Sequence, residues 1–166
     1  MYNKFVNYFS KISHLSKEES NAIAENMCVK IFRKGDFLLK QGQLSRDTYF
    51  IMEGCVREFI VDDGEEKTTN FFTEEQWIIS LNNFGLQTPS EKNLVCVEDT
   101  MVSVGNEEQA QIMFKKFPRF ETISRVIVEA DFAEQKKQLI SYHTDSPEER
   151  YRKLLKSRLS LIKYTL

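Results

Sequence analysis

Between residues 29 and 105 the apolar and β-branched residues come in bursts of three to six, broken apart by glycines or acidic turns. That punctuation constrains the fold more than any other feature, because short bursts bounded by turn residues read as strands. Eight runs follow one another: 29–32, 37–40, 49–52, 56–61, 68–72, 77–79, 94–97 and 101–105. Gly35, Gly42, Gly54 and Gly64 fall between them, where a tight turn wants a residue without a Cβ penalty. Asp63 and Gly64 have the composition of a hairpin tip. Eight short strands predict an antiparallel β-roll or barrel.

Helical patterns frame this region, so the fold class is α+β. Phe5, Phe9 and Ile12 recur at helix spacing, and Ser16 with Glu19 forms a capping-box pattern ahead of Ala22, Ile23 and Met27. Two short N-terminal helices are expected. After Gly105 helix formers dominate as far as Tyr142, with Pro118 placed to open a second, longer helix. Within it Ile123, Val126, Ala130, Ala133, Lys137 and Ile140 recur at alternating steps of three and four, a coiled-coil-like seam that predicts a homodimer. Ser146, Pro147 and Glu149 then supply an N-cap, a first-turn proline and a capping-box glutamate for a third helix carrying Tyr151, Leu154 and Leu155. The expected organisation is a roll with N-terminal helices over 1–117, a dimerisation helix over 118–145, and over 146–166 a hinge with the start of a truncated or missing domain.

Composition narrows the function classes. A chain of 166 residues, 41% hydrophobic, can bury one core and keep a helical appendage. A net charge of −2 argues against a nucleic-acid or anionic-membrane partner for the whole chain. The last twenty residues are the exception, with six Lys or Arg against two Glu. Interleaved with Leu154 and Leu155, these cations read as an ordinary amphipathic helix before they read as a phosphate-binding face. The cysteines Cys28, Cys55 and Cys96 are odd in number, far apart and set in apolar runs. They read as reduced, buried thiols, not as a disulfide framework, a zinc site or cluster ligands. No secretory pattern opens the chain and no run approaches the ~18 to 20 apolar residues of a membrane span, so a cytoplasmic home with no membrane contact is expected.

The stretch from Lys34 through Gly35, Asp36, Phe37, Leu38, Leu39, Lys40 and Gln41 to Gly42 is followed by the run Tyr49, Phe50, Ile51, Met52, Glu53, Gly54, Cys55, Val56 and Arg57. In this order and spacing the pair resembles the early strands of cyclic-nucleotide-binding domains. Pro118 and the Ser-Pro-Glu-Glu-Arg-Tyr segment at 146–151 extend the likeness to the Crp/Fnr family of transcription regulators. The resemblance implies a jelly roll of eight strands and a long helix that pairs with its copy. It also implies a phosphate-binding cassette over 76–97, in which backbone N–H groups at a helix start and an arginine hold a cyclic phosphate while a glutamate takes the ribose hydroxyl.

This chain departs from that cassette. Ser80 stands for the glutamate and Ile79 for a flexible glycine, and Lys92 offers a point charge in place of a planar fork, with Glu91 beside it. The implied pocket is lined by Ser80, Leu81, Asn82, Lys92 and Asn93, with Phe71 and Tyr49 as walls. The bland readings are a buried strand for Trp77, Ile78 and Ile79 and a solvated loop charge for Lys92. A cyclic nucleotide is therefore not expected to bind in the usual way, and the effector stays unknown. Only twenty residues follow Ser146, room for one helix, so DNA is a partner only if a helix-turn-helix follows in the native gene.

Catalysis finds no machinery in the sequence. The two histidines, His14 and His143, lie at opposite ends outside every strand, which argues against a metal site inside the roll. No Gly-x-Ser-x-Gly motif occurs, and no two glycines lie closer than seven residues, so nucleophile elbows and phosphate loops are absent. Two functions remain open: a non-enzymatic effector-sensing domain of a regulator, or a headless dimeric interaction module without ligand or DNA.

Overall fold

Alternation of inward and outward side chains builds the larger part of the molecule. In this computed structural model, which describes residues 2–79 and 88–157, the chain divides into two units, Met1–Phe120 and Glu121–Leu166. The first begins with α1 (Tyr2–Ile12) and α2 (Lys17–Asn26). Eight strands come next: β1 (Cys28–Phe32), β2 (Phe37–Leu39), β3 (Asp47–Glu53), β4 (Val56–Asp62), β5 (Glu65–Phe72), β6 (Trp77–Ile78), β7 (Asn93–Cys96) and β8 (Thr100–Asn106). Helix α3 (Glu107–Lys116) follows, then α4 (Arg119–Thr144) and α5 (Pro147–Ser157).

All eight expected runs form strands, and every pairing is antiparallel, in two sheets ordered β1-β8-β3-β6 and β2-β7-β4-β5. Ile51 and Val102 of the first sheet and Val56 of the second are fully buried. They share one core with Leu39, Tyr49, Leu94 and Cys96, so the sheets close face to face as a roll. Strands β3 and β5 run longer than the apolar pattern. Their polar ends find ladder partners, Asp47 opposite Asn106 and Glu65 opposite Asp62, which hydrophobicity alone does not reveal.

Two glycines with positive φ do different work. At the tip between β4 and β5, Asp63 (φ 51°) and Gly64 (φ 81°) form a two-residue hairpin turn with open space around the glycine. Gly54 (φ 101°), between β3 and β4, is instead pressed against the corner that leads into β8. A Cβ there would stand 2.7 Å from the Asp99 carbonyl oxygen and 2.8 Å from the Thr100 Cα.

The helices obey the expected caps. Ser16 Oγ accepts the Glu19 N–H at 3.1 Å and Glu19 Oε2 accepts the Ser16 N–H at 2.7 Å. Arg119 then donates to the buried Glu19 carboxylate at 3.2 Å and to Ser13 Oγ at 2.6 Å, tying the start of α4 to the loop before α2. Phe5 and Phe9 are buried in an aromatic cluster with Phe50 and Trp77. In the second unit Ser146 and Glu149 make the reciprocal cap of α5. Beside it the Asp145 carboxylate accepts from Lys153 Nζ at 2.6 Å and from the Ser141 hydroxyl. Lys153 first and Ser141 second hold it below the usual carboxylate range.

One expectation fails. Cys55 and Cys96 are buried, and burial pushes the Cys96 thiol up to about 11, but Cys28 is exposed. It opens β1, which among the described residues is an edge strand paired with β8 alone and whose residues are exposed or half-buried, so its apolar neighbours gave no measure of cover.

The two glycines separate conformational strain from collision. Gly64→Ala carries only the left-handed penalty and should lose about 1–2 kcal/mol in urea unfolding. Gly54→Ala adds a clash with backbone and should lose more, about 3 kcal/mol or above; equal losses would show that the close approach at Asp99 is not present in solution.

Candidate functional site

Residues 76–79 and 88–97 are the described ends of the expected cassette; Ser80, Leu81 and Asn82 lie outside the described residues. The first end belongs to the scaffold. Trp77 and Ile78 form β6 and pair with Phe50 and Tyr49 of β3. The Trp77 ring lies 5.0 Å from that of Phe50, and Ile78 is in the core.

The second end leads into β7, whose register with β4 decides which side chains share a face. Leu94 stands opposite Glu58 and Cys96 opposite Val56. Leu94, Cys96 and Val56 all lie in the core, so directly paired and alternate residues place Glu58 on the same inward side. Its side chain is only 12% exposed. An isolated carboxylate in such a position would be costly.

Two groups compensate it. Strand β5 carries a bulge: Glu58 faces Asn70 and Phe59 faces Thr68, which leaves Thr69 as the extra residue. The Thr69 hydroxyl donates to Glu58 Oε1 at 2.7 Å. Lys92, just ahead of β7, donates to the same Oε1 through Nζ at 2.9 Å, with its own side chain 53% exposed. Its backbone is pinned by Ser90, whose Oγ accepts the Lys92 N–H at 3.1 Å and donates to the Lys92 carbonyl at 2.9 Å. The cation that the sequence offered to an incoming phosphate is thus already bonded to an internal carboxylate.

The other candidates part company. Asn93 stands opposite Phe59, on the face of β7 away from Leu94. It is buried, and its Oδ1 accepts the Gln41 N–H at 2.9 Å, which commits it to the turn at 40–43. Phe71 pairs with Arg57 on the outward side, while Phe72 beside it packs on the core. The inward aromatic of β5 is therefore one residue further on. Tyr49 is buried in the core and donates its hydroxyl to the Leu38 carbonyl at 3.1 Å. Burial first and the Asp47 charge second push its phenol up to about 12, so it serves as a neutral donor. Sequence reasoning missed Glu58 and Thr69; the one available signal was a glutamate amid the apolar run of β4.

Along α4, Ile123 is 3% exposed in the single chain, whereas Val126 (42%), Ala130, Ala133, Lys137 and Ile140 (52%) are all exposed. Phe132 (67%) and Leu139 are exposed too, apolar positions outside the counted seam. Among the described residues no three His, Cys, Asp or Glu side chains gather as a metal would require, and no helix is long and apolar enough to cross a membrane.

A model of the cyclic nucleotide-binding domain matches residues 29–117, more than half of the chain. The chain belongs to the cyclic nucleotide-binding domain family. No curated protein matches it. Among solved structures this cyclic nucleotide-binding domain is similar to one from Methylobacillus flagellatus KT, at TM-score 0.72 and 14% identity over 88% of this chain and 86% of that one. It is also similar to the catabolite activator protein of Thermus thermophilus, at 0.64 and 18% over 96% and 72%. The N-terminal domain of a transcriptional regulator from Streptomyces coelicolor A3(2) gives 0.59 and 16% over 80% and 91%. At these identities the likeness is one of fold, which this domain shares with Crp/Fnr-type regulators.

The Glu58–Lys92 pair is asymmetric, and removal of either partner should show it. Lys92→Met strands a carboxylate that is nearly buried and should lower stability by about 1–2 kcal/mol. Glu58→Gln leaves only a solvated lysine and should cost less in the same urea titration; the reverse order would mean the carboxylate is not on the inward face.

Proposed function

We propose that this domain is a non-enzymatic effector sensor of a Crp/Fnr-type transcription regulator, with a phosphate-binding cassette so altered that it does not hold cyclic AMP in the usual way. The family and the fold support a sensing role, and one observation carries the departure: Lys92 is engaged by Glu58. An incoming cyclic phosphate would compete with an internal carboxylate and meet Glu91 next to it, a built-in rejection of the wrong charge. A small-molecule effector of other chemistry would occupy the roll near Lys92 and the segment holding Ser80, Leu81 and Asn82. Helix α4, continuous in chain with the roll through α3 and Pro118, would report occupancy as a population shift.

A second reading, a dimeric interaction module that carries no ligand, is favoured by the internal bond of Lys92 to Glu58, which leaves that cation without a role toward a ligand. Both readings share a homodimer through Val126, Ala130, Ala133, Lys137 and Ile140.

Thermal unfolding with millimolar cyclic AMP or cyclic GMP should leave the melting temperature unchanged. A ligand at a hundredfold excess over its dissociation constant would add about 2.7 kcal/mol, so a saturable rise with either nucleotide overturns the altered-cassette reading. Light scattering should give a dimer for the native chain and a monomer for the Val126→Glu, Ala130→Glu double variant. Unchanged mass in that variant removes the seam.

A further inference from the structure

Resting on the reading that the cassette no longer takes a cyclic phosphate, we infer that Glu58 is the specificity-determining residue: its fixed carboxylate excludes anions from the roll, and Lys92 is a latent anion site held shut by it. Glu58 has an anchor besides Lys92. It sits on the inward face of β4 opposite Leu94, and the bulge residue Thr69 donates to its Oε1 at 2.7 Å. One of the two bonds to the carboxylate therefore comes from the sheet itself and does not involve the lysine. Lys92 reaches the same oxygen at 2.9 Å from the exposed side, its side chain 53% exposed against 12% for Glu58. The negative member of the pair is the nearly buried one and the positive member is the exposed one.

That order has a consequence for ligands. A phosphate oxygen bonded to Lys92 Nζ would stand no more than roughly 6 Å from Glu58 Oε1, and at an effective dielectric of about 20 the repulsion weakens anion binding on the order of a hundredfold. The hydrogen bonds to Glu58 among the described residues both end on Oε1, so the carboxylate keeps acceptor capacity of its own. The inward face of the second sheet offers an acceptor where an anion would need a donor. Substituting Glu58 alone removes the repulsion and releases Lys92, while Lys92→Arg alone would leave the repulsion in place.

Isothermal titration of the native chain, Glu58→Gln, Thr69→Val and the Glu58→Gln, Lys92→Ala double variant with cyclic AMP and with inorganic phosphate tests this. The native chain should bind neither. Glu58→Gln should gain affinity for both probes on the order of a hundredfold, the size of the repulsion it removes, and the gain should fall with salt and vanish in the double variant. A folded Glu58→Gln, with a cooperative melt, that binds no better than the native chain overturns the inference and leaves the proposed function standing. A gain that survives Lys92→Ala overturns it as well. Tight cyclic AMP binding by the native chain fails the proposed function itself. Should Glu58→Gln not fold, Thr69→Val, which keeps the charge but loosens it, should show a smaller gain in the same titration, and no gain there counts against the inference.

Discussion

Everything in the roll depends on a period of two. Each strand of the two sheets must give every second side chain to one shared interior, and Ile51, Val56, Leu94, Cys96 and Val102 do so at almost zero exposure. Position 58 is the inward slot where the rule is kept in geometry and broken in chemistry. A carboxylate there is tolerable only with bonding partners, and the β5 bulge and Lys92 supply them. The bulge and the lysine are thus what lets the roll carry a charge on its inward face.

The corners obey a second constraint, the satisfaction of backbone groups where strands leave one sheet for the other. The Gly35 N–H donates to the Cys96 carbonyl at 2.7 Å and the Cys96 N–H to the Asp36 carbonyl at 2.9 Å, which binds the β1–β2 turn to the end of β7. Asp99 closes the same corner by accepting the Lys34 N–H at 3.0 Å and the Arg33 guanidinium at 2.6 Å. The Lys34 N–H first, and Arg33 after it, hold its carboxyl below the usual range. Its contribution is therefore present above the ordinary carboxylate pKa and is lost as the pH falls through the depressed one. Gly54 lets a second corner lie against Asp99 and Thr100, so the two turns are packed as one unit.

Membership of the cyclic nucleotide-binding domain family states what the backbone can build, and the side chains then decide what it can hold. Here the family's roll is retained, and Lys92 is bonded to an internal carboxylate, that of Glu58. One carboxylate, turned inward by strand register, places a charged acceptor on that face of the second sheet.

Features governed by neighbours in sequence were legible from the residues alone. The eight strands, the Asp63–Gly64 tip and the caps at Ser16 and Ser146 all rest on local periodicity and on short-range hydrogen bonds that spacing reveals. What depended on pairing between distant strands was not. The inward place of Phe72 in preference to Phe71, the separation of Asn93 from Lys92, the exposure of Cys28 and the bond from Thr69 to Glu58 each follow from register, edge position or a single bulge. A shift of one residue in register reverses every face of a strand at no change in composition, so only the assembled sheets could decide them.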